Sequence, residues 1–253
     1  MQTLFNSSKA GILFLCSVLF TLHGYSQLEE FKVDRFNKVI VSPHIAVTFV
    51  KGDSESVIIH SSTEPLEVLN VESSGKTLHL YLDNAKTTTK KEKVEMDGWS
   101  EKQSIYKGTV VQATVTYQVL DALSLRGEER FECTSPIEQS KFSLTIYGES
   151  EVYIKEVKLD NMTTTVYGES SMEISSGSIG RQKITAYGET RINTKEVTST
   201  ETKITAYGEG TYRIAAQDRL KVTAYGEATV EYVGSPEIDK GIVIGETTIR
   251  KIE

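Results

Sequence analysis

The sequence predicts an all-β protein built as a single-stranded, right-handed parallel β-helix, or β-solenoid, with coils of about 20 residues. Three observations carry this prediction. One tripeptide recurs at a nearly constant interval, the segments around it alternate between apolar and polar residues, and β-branched and aromatic residues dominate them. The glycine of the tripeptide recurs at intervals of 21, 20, 20, 20, 18 and 19 residues, at positions 127, 148, 168, 188, 208, 226 and 245.

The repeats occupy residues 125–246, and five of the seven copies read Tyr-Gly-Glu. Around Gly188 one parity reads Ile, Ala, Gly, Thr, Ile and the other reads Lys, Thr, Tyr, Glu, Arg. Period two indicates extended strands with one apolar face. About 20 residues cannot bury such a face alone, whereas stacked turns can. A propeller, the main competing architecture, needs blades of roughly 40 to 50 residues.

Residues 1–26 are expected to be a secretory signal peptide. Lys9 precedes the apolar run 11–20, and the small or polar residues 24–26 follow it. The run is too short to span a bilayer. We therefore expect an exported protein whose mature chain, 27–253, is a single domain without a transmembrane segment. Its expected location is the periplasm, the outer-membrane surface or the medium.

Composition restricts the partners and the means of stabilisation. Without Lys9 the mature chain has 27 basic and 35 acidic residues, a formal charge of −8. Because a nucleic-acid-binding protein normally shows a basic face, no nucleic acid is expected as a partner. Cys133 is the only cysteine after residue 26, so no intramolecular disulfide can form and a buried apolar role is expected.

The chain before the repeats is expected to form an irregular N-terminal β cap and one insertion. Apolar-x-apolar pairs separated by turn residues run through 31–82, as in the closing turns of a solenoid. Residues 84–107 are rich in lysine and contain Asp97-Gly98, a hairpin signal. They predict a projecting hairpin or loop, either a solvated insertion or a recognition loop carrying Trp99, the only tryptophan.

The order of these parts resembles the autotransporter adhesin head GIN domain family of exported Bacteroidetes-type proteins. The resemblance rests on the apolar-x-apolar strands of 36–82 and on the strand 110–115, which leads through Leu125 into Gly127. Relatives commonly carry Ser-Gly-Ser or Gly-Ser-Gly where this chain has Tyr-Gly-Glu. The resemblance implies a β-solenoid fold and a role in adhesion at the cell envelope.

The tyrosines of the repeat are expected to form one column, because equivalent positions of successive turns lie above one another. Their rings would stack at roughly 5 Å, each pair contributing about 0.5–1.5 kcal/mol beyond area burial. This column is either purely structural or, if the rings face solvent, an aromatic strip that binds sugar rings or a partner protein. Its members are Tyr147, Tyr167, Tyr187, Tyr207 and Tyr225.

A second column should contain the glutamates that follow the glycines. Carboxylates about 5 Å apart in water repel by roughly 0.8 kcal/mol, so the side chains should splay into solvent, cap the backbone or share a cation. Asp is scarce near the motif, which disfavours a calcium ladder, and no metal site is expected. The candidate binding members are Glu149, Glu169, Glu189, Glu209 and Glu227, with Glu128 and Glu246 at the ends.

The predicted function is a non-catalytic, adhesin-like binding module that presents a repeat-built flank to a glycan or a cell-surface protein. Two alternatives remain: a β-helix polysaccharide lyase or hydrolase, and a purely structural envelope component. No catalytic residue is predicted, because the repeated glutamates are too uniform to single out an acid–base pair. No cofactor is expected, since the sequence contains no phosphate loop, metal-ligand cluster or nucleophile elbow, and the oligomeric state is not predicted.

Overall fold

The computed structural model describes residues 29–96 and 99–253, and the predicted signal peptide lies outside them. The described residues form 19 strands and one 3₁₀ helix, Leu66–Val68. The strands are β1 Glu29–Lys32, β2 Lys38–Val41, β3 Ile45–Lys51, β4 Ser56–Ser62, β5 Leu69–Ser74, β6 Thr77–Leu82, β7 Lys91–Met96, β8 Trp99–Ser104, β9 Val111–Tyr117, β10 Ala122–Gly127, β11 Arg130–Cys133, β12 Ile137–Gly148, β13 Glu151–Ile154, β14 Val157–Gly168, β15 Ser170–Ile174, β16 Gly177–Tyr187, β17 Thr190–Val233, β18 Glu237–Ile244 and β19 Thr247–Lys251.

Successive turns of the repeat pair in parallel and in register. Tyr147 lies opposite Tyr167, Tyr167 opposite Tyr187, and Tyr187 opposite Tyr207. This confirms the predicted parallel β-solenoid with turns of roughly 20 residues. We call the stack formed by 122–127, 141–148, 161–168, 181–187, 201–207 and 219–225 the tyrosine face. The second face comprises 130–133, 151–154, 170–174, 190–193, 210–214, 228–232 and 247–251, and the third face includes 137–139, 157–159, 177–179 and 197–199.

The core is the narrow space enclosed by these faces. Alternate residues of every turn point into it, so the period-two pattern of the sequence becomes a set of buried apolar columns. Cys133 is one of these residues, and burial raises the pKa of its thiol to about 12. On the tyrosine face the inward positions include Leu125, Phe142, Leu144, Ile146, Val166, Ile184, Ala186, Ile204, Ala206, Val222 and Ala224.

One part of the core is polar. Gln182 and Thr194 are buried with Oγ1 of Thr194 3.3 Å from Nε2 of Gln182, and the hydroxyls of Ser199 and Thr202 are 2.7 Å apart. Thr202 also donates to Oε1 of Gln182 at 3.5 Å, while Ser199 donates to the carbonyl of Ala215. These contacts satisfy groups that would otherwise be costly to bury.

The N-terminal cap does not follow chain order along the solenoid axis. Strands β6 and β9 form the outermost parallel positions, and β2 and β3 lie between them and the first repeat strands, β10 and β11. Strands β1 and β4 then extend β9 in antiparallel fashion, and β5 pairs antiparallel with β6. The described chain therefore starts at the antiparallel edge with β1, forms the second layer with β2 and β3, adds the outer strands, and then starts the repeats with β10.

The insertion contains an antiparallel pair, β7 and β8, which forms its own two-stranded sheet. The register of this pair places Met96 opposite Trp99. The connecting residues 97–98 lie outside the described part of the chain. Trp99 is 58% exposed on this hairpin. Residues 84–90 and 105–110 join the hairpin to the solenoid.

A charge ladder links the last three turns on the second face. Glu231 is 6% exposed, and its carboxylate accepts hydrogen bonds from Nε of Arg250 at 3.1 Å and from Nε of Arg213 at 2.7 Å. These donors hold the pKa of Glu231 below its ordinary value of 4.5. Because the folded-state pKa is depressed, the stabilisation is present above pH 4.5 and is lost as pH falls through the folded-state pKa.

We expect Glu231→Gln to lower the free energy of unfolding at pH 7, because a neutral amide cannot replace the charge-assisted bonds. At pH 3 the wild type and the variant should differ less, since protonation weakens the same interaction in the wild type. Urea unfolding of both proteins at pH 7 and at pH 3 measures the difference in their free energies of unfolding. Glu209→Gln, at an exposed site, is the matched control and should change stability by no more than about 0.5 kcal/mol. An equal deficit at both pH values would contradict the assignment.

Candidate binding face

The repeat glycines form a column of bends beside the tyrosine face. Their φ angles lie between +104° and +129°, a region that favours glycine. A Cβ built on Gly168 would lie 2.3 Å from the carbonyl oxygen of Gly148, and the corresponding contact of Gly188 with Gly168 is 2.7 Å. The repeat glycines therefore occupy bends of the backbone that approach one another closely from turn to turn.

The five repeat tyrosines form a continuous stacked ladder, as predicted. Neighbouring ring centroids are 4.8–5.1 Å apart, with interplanar angles of 2–7°. Four of the rings are 39–41% exposed, and that of Tyr225 is half-buried. The ladder is therefore both a stabilising stack and an accessible surface.

The orientation of the rings differs from that of a flat aromatic strip. Since neighbouring rings are parallel at about 5 Å, each interior ring covers the faces of its neighbours. The solvent meets ring edges and phenol hydroxyls instead. At one end the guanidinium of Arg126 lies 5.2 Å from the ring centroid of Tyr147, and at the other end Ile244 is paired with Tyr225. Stacking of sugar rings on the interior tyrosines is thus blocked, whereas hydrogen bonding to their hydroxyls is open.

Polar columns run parallel to the ladder on the same face. Because outward positions alternate along each strand, the residue two before each tyrosine also points outward. That position is threonine in all five turns, and the next outward position carries lysine in the last three. These residues are Thr145, Thr165, Thr185, Thr205 and Thr223, followed by Lys183, Lys203 and Lys221.

The glutamate column lies just beyond the glycine bends, and its side chains are exposed from Glu128 to Glu246. The backbone N–H of Glu149 donates to the carbonyl of Gly127 at 3.0 Å, and that of Glu169 donates to Gly148 at 2.9 Å. Glu189 pairs with Arg191 at 2.5 Å. No cluster of three or more potential metal ligands exists within residues 29–96 and 99–253. Trp99, the remaining sequence-predicted site residue, lies on the separate hairpin.

A cleft at the head of the ladder was not predicted. It is lined by residues 43–44, 87–89, 126–129 and 147–149, with contributions from Ser104 and Gly108. Two departures from the repeat could have signalled it. Position 126 holds arginine where the next five turns hold tyrosine, and the inward position 129 holds glutamate where the next three turns hold serine or threonine.

Comparisons with known proteins agree with this fold. The family model described as "Putative auto-transporter adhesin, head GIN domain" matches residues 35–236. A structure named "putative adhesin" from Bacteroides fragilis NCTC 9343 is similar with a TM-score of 0.73 and 16% identity, over 89% of this chain and 96% of that one. A search of curated proteins found no match.

Two structures from Parabacteroides are also similar. A "putative adhesin" from P. merdae ATCC 43184 has a TM-score of 0.64 and 15% identity, over 91% of this chain and 98% of that one. A "putative lipid binding protein" from P. distasonis ATCC 8503 has a TM-score of 0.63 and 18% identity over the same shares. The described part of this chain contains no helix of the length and hydrophobicity needed to cross a membrane. The match to the family model over 35–236 shows that the chain belongs to the auto-transporter adhesin head GIN domain family.

Proposed function

We propose that this chain is a non-catalytic exported binding module that presents its tyrosine face to a glycan at the cell envelope, with a surface protein as the alternative ligand. The observation that carries the proposal is the ladder of exposed tyrosine edges, four of them 39–41% exposed, in a regular row. Family membership and the names of similar structures support an adhesive role. Export rests on the signal-like segment 1–26.

The chemistry of the face favours a glycan over a protein. Protein interfaces rely on a few aromatic anchors buried in pockets of the partner. Here the rings stack on one another, and the outward groups are phenol hydroxyls, threonine hydroxyls and lysine ammoniums. A polyhydroxylated chain can donate to and accept from each of these. The repeat of about 5 Å also offers a phenol and a threonine hydroxyl to each successive part of an extended polymer, with a lysine added in the last three turns.

A carbohydrate-active enzyme is the second candidate, favoured by one observation. Glu129 is 4% exposed, and burial raises the pKa of its carboxyl, as a general acid requires. However, Oε2 of Glu129 accepts the N–H of Glu128 at 3.0 Å, so the carboxyl already supports its own bend. Release of reducing ends from a bound polysaccharide, abolished by Glu129→Gln, would favour the enzyme.

The binding proposal is tested by removing hydroxyls without removing the stack. A triple variant, Tyr167→Phe with Tyr187→Phe and Tyr207→Phe, keeps the ring contacts and deletes three phenol groups. A hydrogen bond contributes about 0.5–1.5 kcal/mol, so we expect affinity to fall at least tenfold for a polysaccharide found by glycan-array screening of the wild type. Surface plasmon resonance measures the affinities.

Tyr153→Phe is the matched control, since Tyr153 points outward on the second face rather than in the ladder. It should leave the affinity unchanged. Wild-type affinity in the folded triple variant would reject the ladder as the binding surface. A wild-type chain that binds no arrayed glycan but binds a surface protein, with loss in the triple variant, would select the alternative ligand.

A further inference from the structure

The cleft at the head of the ladder has the size of a small-molecule site. Its volume is about 360 Å³, and small-molecule pockets typically occupy roughly 300–1,000 Å³. The insertion supplies one wall through residues 87–89. The first repeat turns supply the other through residues 126–129 and Tyr147. Two parts of the chain that are distant in sequence therefore meet to enclose it.

The N-terminal cap contributes His44 to the lining of the cleft, and the contacts of His44 hold this part of the lining in place without a ligand. His44 has a φ of +73°, which is uncommon for a residue other than glycine. Its ring nitrogens lie 2.7 Å from the carbonyl oxygen of Gly108 and 2.6 Å from Oγ1 of Thr89. Its carbonyl accepts the N–H groups of Val110 and Val111 at 2.8 and 3.0 Å. Such strain persists when the surroundings over-determine the conformation, and it often occurs at ligand sites.

The opposite wall contains the breaks in the repeat. Arg126 takes the place of the tyrosine found in later turns, and its guanidinium covers the ring of Tyr147. The Nε of Arg126 is buried and has no hydrogen-bond partner among the described residues. Glu129, at a position that is small in the following turns, closes the floor beneath Gly127. Because protein atoms cover that Nε, the other N–H groups of the guanidinium are the donors that Arg126 can offer to a ligand oxygen in the cleft.

The polar groups of the cleft suit an uncharged ligand that forms hydrogen bonds. Glu128 and Glu149 disfavour an anion, and the guanidinium of Arg126 offers donors to neutral oxygens. Thr87 and Thr88 add hydroxyls that both donate and accept. A polyol matches this mixture, because each of its hydroxyls can serve either role. We propose that this cleft binds a single neutral sugar residue, the terminal unit of a glycan whose remaining units lie along the tyrosine ladder.

The assignment of this ligand class rests on the proposed function, and the cleft is tested separately from the ladder. The probes are neutral monosaccharides: glucose, galactose, mannose, fucose, N-acetylglucosamine and N-acetylgalactosamine. Saturation-transfer difference NMR on the purified chain identifies those that bind, and titration gives their affinities. We expect saturable binding of at least one sugar. Arg126→Gln should weaken it at least tenfold, because it removes a charged donor, and Thr88→Val, which removes one hydroxyl, should weaken it about two- to tenfold.

Arg191→Gln is the control, because Arg191 is an exposed arginine on the second face, outside the cleft. It should bind as the wild type does. Thermal unfolding checks that both cleft variants are folded, and Thr88 belongs to the insertion rather than to the repeat turns. Failure of all six sugars to bind, or wild-type affinity in both folded cleft variants, overturns the proposal.

The two proposals fail in different ways. Polysaccharide binding that depends on the ladder hydroxyls, without binding of any monosaccharide, overturns the cleft and leaves the proposed function standing. Monosaccharide binding that depends on Arg126 and Thr88, in a chain whose ladder variants bind polysaccharide normally, supports the cleft and rejects the ladder.

Discussion

Replacing Gly168 by alanine is expected to lower the free energy of unfolding by about 2–4 kcal/mol. Gly168 has a φ of +116°, and a Cβ would lie 2.3 Å from the carbonyl oxygen of Gly148 in the preceding turn. That oxygen belongs to the backbone and accepts the N–H of Glu169, so it cannot move aside like the end of a flexible side chain. The added methyl group must therefore separate two turns. Urea unfolding followed by circular dichroism measures the loss.

Gly75→Ala separates the two causes of that loss. Gly75 also has a positive φ, +58°, but a Cβ there would meet no atom within 4 Å. Its substitution should cost about 1–2 kcal/mol, the price of the left-handed conformation alone. The difference between the variants reports the contact between turns. If the two variants were equally stable, the close approach of the glycine bends would not constrain the stack.

Deleting one complete turn, residues 169–188, is expected to leave a folded and cooperatively unfolding protein. The deletion joins Gly168 to Glu189, which occupies the same place in its turn as Glu169. Every remaining position then meets the equivalent position of its new neighbour, and the cost is one turn with its interfaces and the contacts of Gln182 with Thr194 and Thr202. The β-sheet circular dichroism signal should persist, with a lower melting temperature.

Deleting half a turn, residues 169–178, is the matched control and should abolish cooperative unfolding. It removes fewer residues and keeps the inward–outward parity, yet it places the tyrosine-face strand 181–187 where the second face should stack. The turns on either side then cannot pair in register. Equal tolerance of both deletions, or equal loss of folding, would contradict a stack whose unit is the 20-residue turn.

The sequence was sufficient to predict the repeat part of the fold because each turn has the same environment. The alternation of apolar and polar residues along each strand identified which residues are buried, and the constant interval between repeats placed the tyrosines in one column. The Gln182–Thr194 contact inside the core was missed because the two residues belong to different faces of a turn, where alternation alone does not identify partners.

The strand order of the cap and the cleft could not be predicted from local patterns. Strands β6 and β9 pair with the outer edges of β2 and β3. This strand order depends on long-range contacts, and the cap contains no sequence repeat from which it could be predicted. Ring stacking was predicted from the tyrosine column, but whether the column is structural or an exposed strip was left open, because exposure depends on the neighbouring residues. Arg126 and Glu129 stood out as departures from the repeat, yet their meeting with residues 87–89 depends on the path of the insertion.

Distances along the glutamate column test the central claim most directly. Spin labels on cysteines at positions 128 and 246 span six turns, and labels at 149 and 246 span five. Double electron–electron resonance, in a Cys16→Ser background with the buried Cys133 retained, should give distances of about 29 and 24 Å at roughly 4.8 Å per turn. Distances that do not decrease by about one strand spacing would show that the turns are not stacked in register.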